Sequence, residues 1–207
     1  MTNGQFVSEE GNMVSKLEKN KLLKENKLYN AAYDLFTSHG INETSISDIA
    51  KHAGVGKGTF YLYFKDKYDI LDRIIFKKSS DVLVYAVNET HLNVFEHFED
   101  EVIFFINVIL DFLEQDRLLL KLIHKNLSWG VLKKAKEDYE EINLIYHMFT
   151  KGLKDLGISE AEIDHTIYIV IELTGSVAYN TIILEEPSSL ETMKPFLFDT
   201  IKRIIRR

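Results

Sequence analysis

The chain has 207 residues, 45% hydrophobic and 28% charged, with no cysteine. A chain of that length can bury a sizeable core, and the lack of cysteine excludes a disulfide framework, a thiolate metal site and a cysteine nucleophile. The formal net charge of −7 is unevenly spread, with 12 Lys/Arg against 10 Asp/Glu in residues 1–80 and 13 against 22 thereafter, so the acidic total still permits a basic face near the N-terminus.

Apolar residues recur at helical spacing and strand-like alternation is almost absent, which predicts an all-α protein of about nine helices. Residues 1–19 are polar and aperiodic and are read as a flexible extension, with Glu9 and Glu10 where a signal peptide would be apolar. The first helix is expected over 20–39, burying Leu28, Ala32, Leu35 and Phe36, with Gly40 as its C-terminal stop. Ser45 is expected to cap the second helix, with Asp48 answering from the third position. A short third helix covers about 57–64. A fourth starts after Asp66, where Asp69 repeats the capping pattern, and reaches about residue 87.

Residues 95–114 form the next helix, apolar on nearly every face from 102 to 113, as expected of a helix surrounded by others. Amphipathic helices follow over about 117–127 and 133–156. Ser159 opens a long helix to about residue 185, and Ser188 or Ser189 opens the last. Pro195 lies too deep in that helix for a first-turn position, so a kink or a later start is expected. The longest apolar runs, 102–110 and 167–171, fall short of the roughly 18–20 residues that span a bilayer. The expectation is a cytoplasmic protein with no membrane partner.

The informative stretch is residues 45–68, SISDIAKHAGVGKGTFYLYFKDKY. It reads as two short helices joined by a turn at Gly54, a helix-turn-helix. Ala50 lies where the helices cross, and Gly54 suits a left-handed backbone after the first helix. Ile49, Ala53, Val55 and Phe60 are expected to close a small core. Phe60 and Phe64, one turn apart, point inward, leaving Lys57, Thr59 and Tyr61 outward as a surface suited to phosphates and base edges. Gly58 lets the backbone approach a duplex closely, and Lys67 begins the next helix, whose amino end favours an anion.

The run Thr44-Ser45-Ile46, Ile49-Ala50, Ala53-Gly54-Val55, Lys57-Gly58-Thr59-Phe60-Tyr61, Tyr63-Phe64-Lys65 and Lys67, preceded by Ala31-Ala32, Leu35-Phe36 and Gly40, resembles the DNA-binding domain of the tetracycline-repressor (TetR) family. The resemblance covers about residues 20–72. It implies phosphate or base contacts for Thr44, Lys57, Thr59, Tyr61, Tyr63 and Lys67. Gly56 departs from the family's frequent capping serine, and Ser47 from a frequent basic residue, so phosphate contacts are expected to be fewer. Lys21, Lys24 and Lys27 fit either a solvated face or a phosphate contact, and Tyr63 either DNA or a packing site against the first helix.

The resemblance further implies three parts: the extension 1–19, a three-helix DNA-binding domain over 20–66, and a helical-bundle ligand-binding and dimerisation domain over 67–207. It also implies a homodimer through the last two helices, double-stranded DNA with a palindromic operator as partner, and a small-molecule effector, with the protein acting as a repressor released by a largely apolar ligand. Two small residues, Gly175 and Ser176, and an apolar stripe of Phe196, Leu197, Ile201, Ile204 and Ile205 suit such a pairing. Ile167, Ile171, Thr174, Val177 and Ala178 add a further apolar set on the long helix.

Candidate ligand contacts are polar groups stranded in apolar runs, namely Asn107, His124 and Glu172, together with the aromatics Phe105, Phe112, Trp129, Tyr146, Phe149 and Tyr168. Glu172 fits a cationic ligand, an interfacial pair or an exposed edge, because a lone buried carboxylate is costly. His91, His97, Asp100 and Glu101 read as a charged helix face rather than a metal site. No metal or cofactor is expected. An enzyme is the rival from another class, but no nucleophile elbow, phosphate loop, paired-histidine zinc motif or dinucleotide fingerprint occurs. A helical interaction module without DNA binding is the third reading.

Overall fold

The computed structural model describes residues 16–124, 133, 136, 137 and 140–206. Among them lie nine α-helices and no strand: α1 Lys16–Ser38, α2 Ile46–His52, α3 Lys57–Phe60, α4 Lys67–His91, α5 Phe98–Gln115, α6 Arg117–Ile123, α7 Glu140–Asp155, α8 Glu160–Tyr179 and α9 Leu190–Ile205. A π-helical turn, Asn180–Leu184, extends α8. The chain divides into two compact units, Met1–Ile70 and Leu71–Arg207.

In the first unit α1 packs on α2, and α2 on α3. Leu28, Ala31, Ala32 and Phe36 of α1 meet Ile49, Ala50, Ala53, Phe60 and Phe64 in one core. Leu35 and Val55, expected inside, are only half-buried. Local chemistry sets the helix ends. Ser45 accepts from the Asp48 amide while the Asp48 carboxylate takes the Ser45 N–H, a reciprocal capping box. The helix closes through Val55 N–H to Ala50 O and Gly54 N–H to Lys51 O, a Schellman motif that needs Gly54 at φ 68°. At the start of α4 Asp66 accepts the Tyr68 and Asp69 amides, and the Asp69 carboxylate accepts the Lys65 N–H.

In the second unit α5 is the central element, in contact with α6, α8 and α9. Its buried stripe is Val102, Phe105, Ile106, Ile109, Leu110 and Leu113. Three ion pairs bind α5 to an antiparallel α9. Arg206 meets Glu99 at 2.5 Å, Lys202 meets Asp100 at 2.7 Å, and Lys194 meets Asp111. The buried Glu99 carboxyl is held below its ordinary pKa by its own backbone amide and then by Arg206. Ser189 caps α9, and Pro195 lies inside it without a later helix start. One difference from the sequence expectation concerns hydropathy: residues Glu160–Leu184 are long and apolar enough, by length and composition, to cross a membrane. Glu162, Asp164, His165 and Glu172 interrupt the apolar residues of that helix, so no unbroken apolar run reaches that length.

Candidate nucleic-acid interface and ligand cavity

The turn between α2 and α3 directs the short helix so that Phe60 is fully buried and Phe64 nearly so, their rings 5.5 Å apart. The opposite side is open. Lys57 and Gly58 are exposed, Tyr61 is 53% exposed, and Thr59 and Tyr63 are half-buried. Among the described residues nothing lies within 4 Å of where a Cβ would stand on Gly58, which faces open space. Tyr63 packs its ring against Phe64 at 6.4 Å.

A concavity of about 560 Å³ in the first unit gathers Thr44, Lys57, Tyr61 and Lys67 with the loop residues before α2. Gly58, Thr59 and Tyr63 are outside its lining. Two of the gathered side chains are already engaged. Thr44 is 3% exposed and its hydroxyl donates to the Gly40 carbonyl at 2.8 Å. The Lys67 ammonium donates to the carbonyls of Ile41 at 2.9 Å and Thr44 at 3.2 Å. Glu43 and Asp66 share the same lining, and Asp66 is held ionised by the Asp69 and Tyr68 amides. Lys57 therefore supplies an exposed cation to this surface, and Tyr61 an exposed hydroxyl beside those of Ser47 and Tyr68.

The second unit holds an apolar cavity of about 120 Å³ built by α4, α5, α7, α8 and α9. Phe105, Tyr146 and Phe149 line it, with aliphatic residues such as Val87, Ile109 and Val170. Phe149 packs edge-on against Phe105 at 5.3 Å. Two threonines add polarity. Thr166 gives its hydroxyl to the Glu162 carbonyl, whereas the buried Thr174 hydroxyl has no partner among the described residues.

Five of the sequence candidates lie outside this lining. Asn107 donates to Asp111 at 2.8 Å and joins the α5–α9 ion pairs. Phe112 packs on Tyr85 at 5.4 Å. His124 stacks on Tyr179 at 3.7 Å. Tyr168 and Glu172 are exposed, so of the three alternatives for Glu172 the exposed edge matches its position. Trp129 lies outside the described residues. Ile167, Ile171 and Thr174 also turn toward the cavity, not to an outer face of α8. The lining that sequence reasoning missed is mostly aliphatic, and such residues carry no signal that separates a cavity wall from a filled core. The threonines at 166 and 174, about two turns apart on an apolar helix, are the one trace of it.

The two short helices joined at Gly54 form a helix-turn-helix, the motif by which many transcriptional regulators bind DNA. Residues 28–74 match the family model described as bacterial regulatory proteins, tetR family. The chain is 31% identical over 138 residues to an HTH-type transcriptional regulator of Staphylococcus aureus (strain MRSA252), covering 64% of this chain and 71% of that one. It is 25% identical over 192 residues to the HTH-type transcriptional regulator YvdT of Bacillus subtilis (strain 168), covering 87% and 94%. Among solved structures, the transcriptional regulator FadR of Bacillus subtilis in complex with stearoyl-CoA shares the fold at a TM-score of 0.63, with 19% identity over 85% of this chain and 96% of that one. The chain belongs to the tetR family of bacterial regulatory proteins and is a DNA-binding transcriptional regulator.

Proposed function

We propose that this regulator is a cytoplasmic homodimeric repressor that a small, largely apolar ligand releases from a palindromic operator. The observation that carries the DNA half is the two-sided short helix, with Phe60 and Phe64 inward and Lys57 and Tyr61 outward. Lys57, Thr59 and Tyr61 supply contacts from the helix, Gly58 allows close approach, and Tyr63 contributes at its edge. Thr44 and Lys67 act chiefly by fixing the loop that meets the phosphates, since their polar atoms are already bonded to it. Phosphate contacts position such a helix, and base edges give it specificity.

The ligand half rests on the apolar cavity, and the stearoyl-CoA bound by the similar FadR structure is consistent with an amphiphilic effector. Leu83 and Val87 of α4 line the cavity, and Lys67 at the start of that helix holds the DNA-side loop. A ligand that displaces α4 would alter the spacing of the two recognition helices, and linkage limits its effect to the ligand's preference for the DNA-free form, commonly about 1–3 kcal/mol. Dimerisation is assigned to the outer side of α8 and α9, where Tyr168, Ile169, Leu184 and Phe196 are exposed apolar residues. In this reading the domain boundary lies near residue 66.

The test is selection from a random duplex library followed by binding measurements across salt. Enrichment of a two-fold sequence, bound by the dimer with an affinity that falls steeply with salt, is expected. Binding that is indifferent to salt or to duplex sequence would reject the operator reading.

A further inference from the structure

Tyr146 belongs both to the cavity wall and to a polar cluster. Its hydroxyl donates to the Asp164 carboxylate, and the Lys136 ammonium sits 3.1 Å from the centre of its ring. An aromatic face beside a carboxylate is the arrangement that recognises an organic cation, through the ring quadrupole and direct charge attraction. Lys136 occupies that place in this structure. We propose that the cavity binds an amphiphilic organic cation, whose ammonium replaces Lys136 over the Tyr146 ring, within the field of Asp164, while its apolar body lies against Phe105 and Phe149. The proposal rests on the cavity being the effector site and adds the chemical class of the effector.

The local chemistry favours a cation over an anion. The Tyr146 proton is committed to Asp164, so the hydroxyl has no hydrogen to offer an anionic headgroup. Burial and that carboxylate push the Tyr146 pKa up to about 12, which keeps the proton in place. Burial also pulls the Lys136 ammonium below its ordinary pKa, with Asp164 opposing that trend, so the lysine is held there at a desolvation cost. A quaternary ammonium cannot lose its charge and is more weakly hydrated, so it meets the same ring and carboxylate at a smaller cost. Displaced, Lys136 returns to water.

The experiment compares three ten-carbon probes on the full-length protein, each below its micelle-forming concentration: decyltrimethylammonium, decanol and decanoate. Calorimetric titration should show the cation binding about tenfold more tightly than either control. Asp164→Asn should abolish that preference while leaving decanol affinity unchanged. Tyr146→Phe should retain it, because the ring remains. Lys136→Gln should tighten cation binding, since the internal competitor is gone, which a merely structural lysine would not do. Equal affinity for the cation and decanol would leave the cavity as a ligand site but overturn the cation site. Tightest binding of decanoate, weakened by Lys136→Gln, would make the cluster an anion site and overturn the proposal as well. Binding of none of the three would overturn the effector cavity together with it.

Discussion

The ammonium of Lys67 lies 2.9 Å from the carbonyl oxygen of Ile41 and 3.2 Å from that of Thr44, so the first residue of α4 closes the loop between α1 and α2. Hydrogen bonds from a charged donor contribute more than neutral ones, and their loss leaves carbonyls to find other partners. Lys67→Met is therefore expected to lower stability by about 1–2 kcal/mol, measured by urea denaturation of the free protein. An unchanged midpoint would mean that the ammonium spends its time in water.

Lys57 and Phe60 lie on opposite sides of α3 and should separate binding from folding. Phe60 is 0% exposed, so Phe60→Ala leaves a cavity and is expected to cost about 3–5 kcal/mol. Lys57→Ala should leave the melting temperature unchanged, weaken DNA binding and reduce the salt slope by about one unit. The reverse pattern, a melted Lys57 variant beside a stable Phe60 variant, would show that the helix is turned over.

Acid should loosen the second unit partly through Glu99. Its folded pKa is lowered by its backbone amide and by Arg206. A depressed carboxyl stabilises the fold above its unfolded pKa, and that contribution disappears as pH falls through the folded value. Arg206→Ala removes the largest side-chain cause, so it should lower stability at pH 7 and flatten the loss below about pH 4.3. Because the Arg206 side chain is 55% exposed, solvent screening limits the effect at pH 7 to about 1 kcal/mol. Thermal melts of both proteins from pH 7 to pH 3 give the comparison, and parallel curves would remove Glu99 from the account.

Phe196 is 66% exposed on α9, and a charge there should not disturb the core formed by Leu197, Ile201 and Ile205. Phe196→Glu is expected to shift sedimentation toward the monomer while the far-ultraviolet circular dichroism stays the same. DNA affinity should fall with it, because two heads no longer bind as one. A variant that remains a dimer with full affinity would place the partner surface elsewhere.

Local chemistry made the first unit readable in advance. The Ser45–Asp48 capping box, the left-handed Gly54 and the inward Phe60 and Phe64 depend on neighbours a few residues away, and each occurs where those residue types predict it. The family and its DNA-binding role follow from the same short stretch, whose residues must satisfy a tight turn and a surface at once. Tertiary structure alone decided the rest. Nothing within a few residues of Lys67 shows that its ammonium is spent on the α1–α2 loop, since its acceptors are more than twenty residues away. Asn107 reads as a polar group stranded in an apolar helix; it donates to Asp111 one turn on, and only the fold brings Lys194 to that carboxylate. The cavity is the sharpest case. Its walls are mostly Val, Ile, Leu and Phe from five helices, and whether such side chains meet or leave a void depends on how those helices pack, a property that apolar periodicity along one chain does not contain.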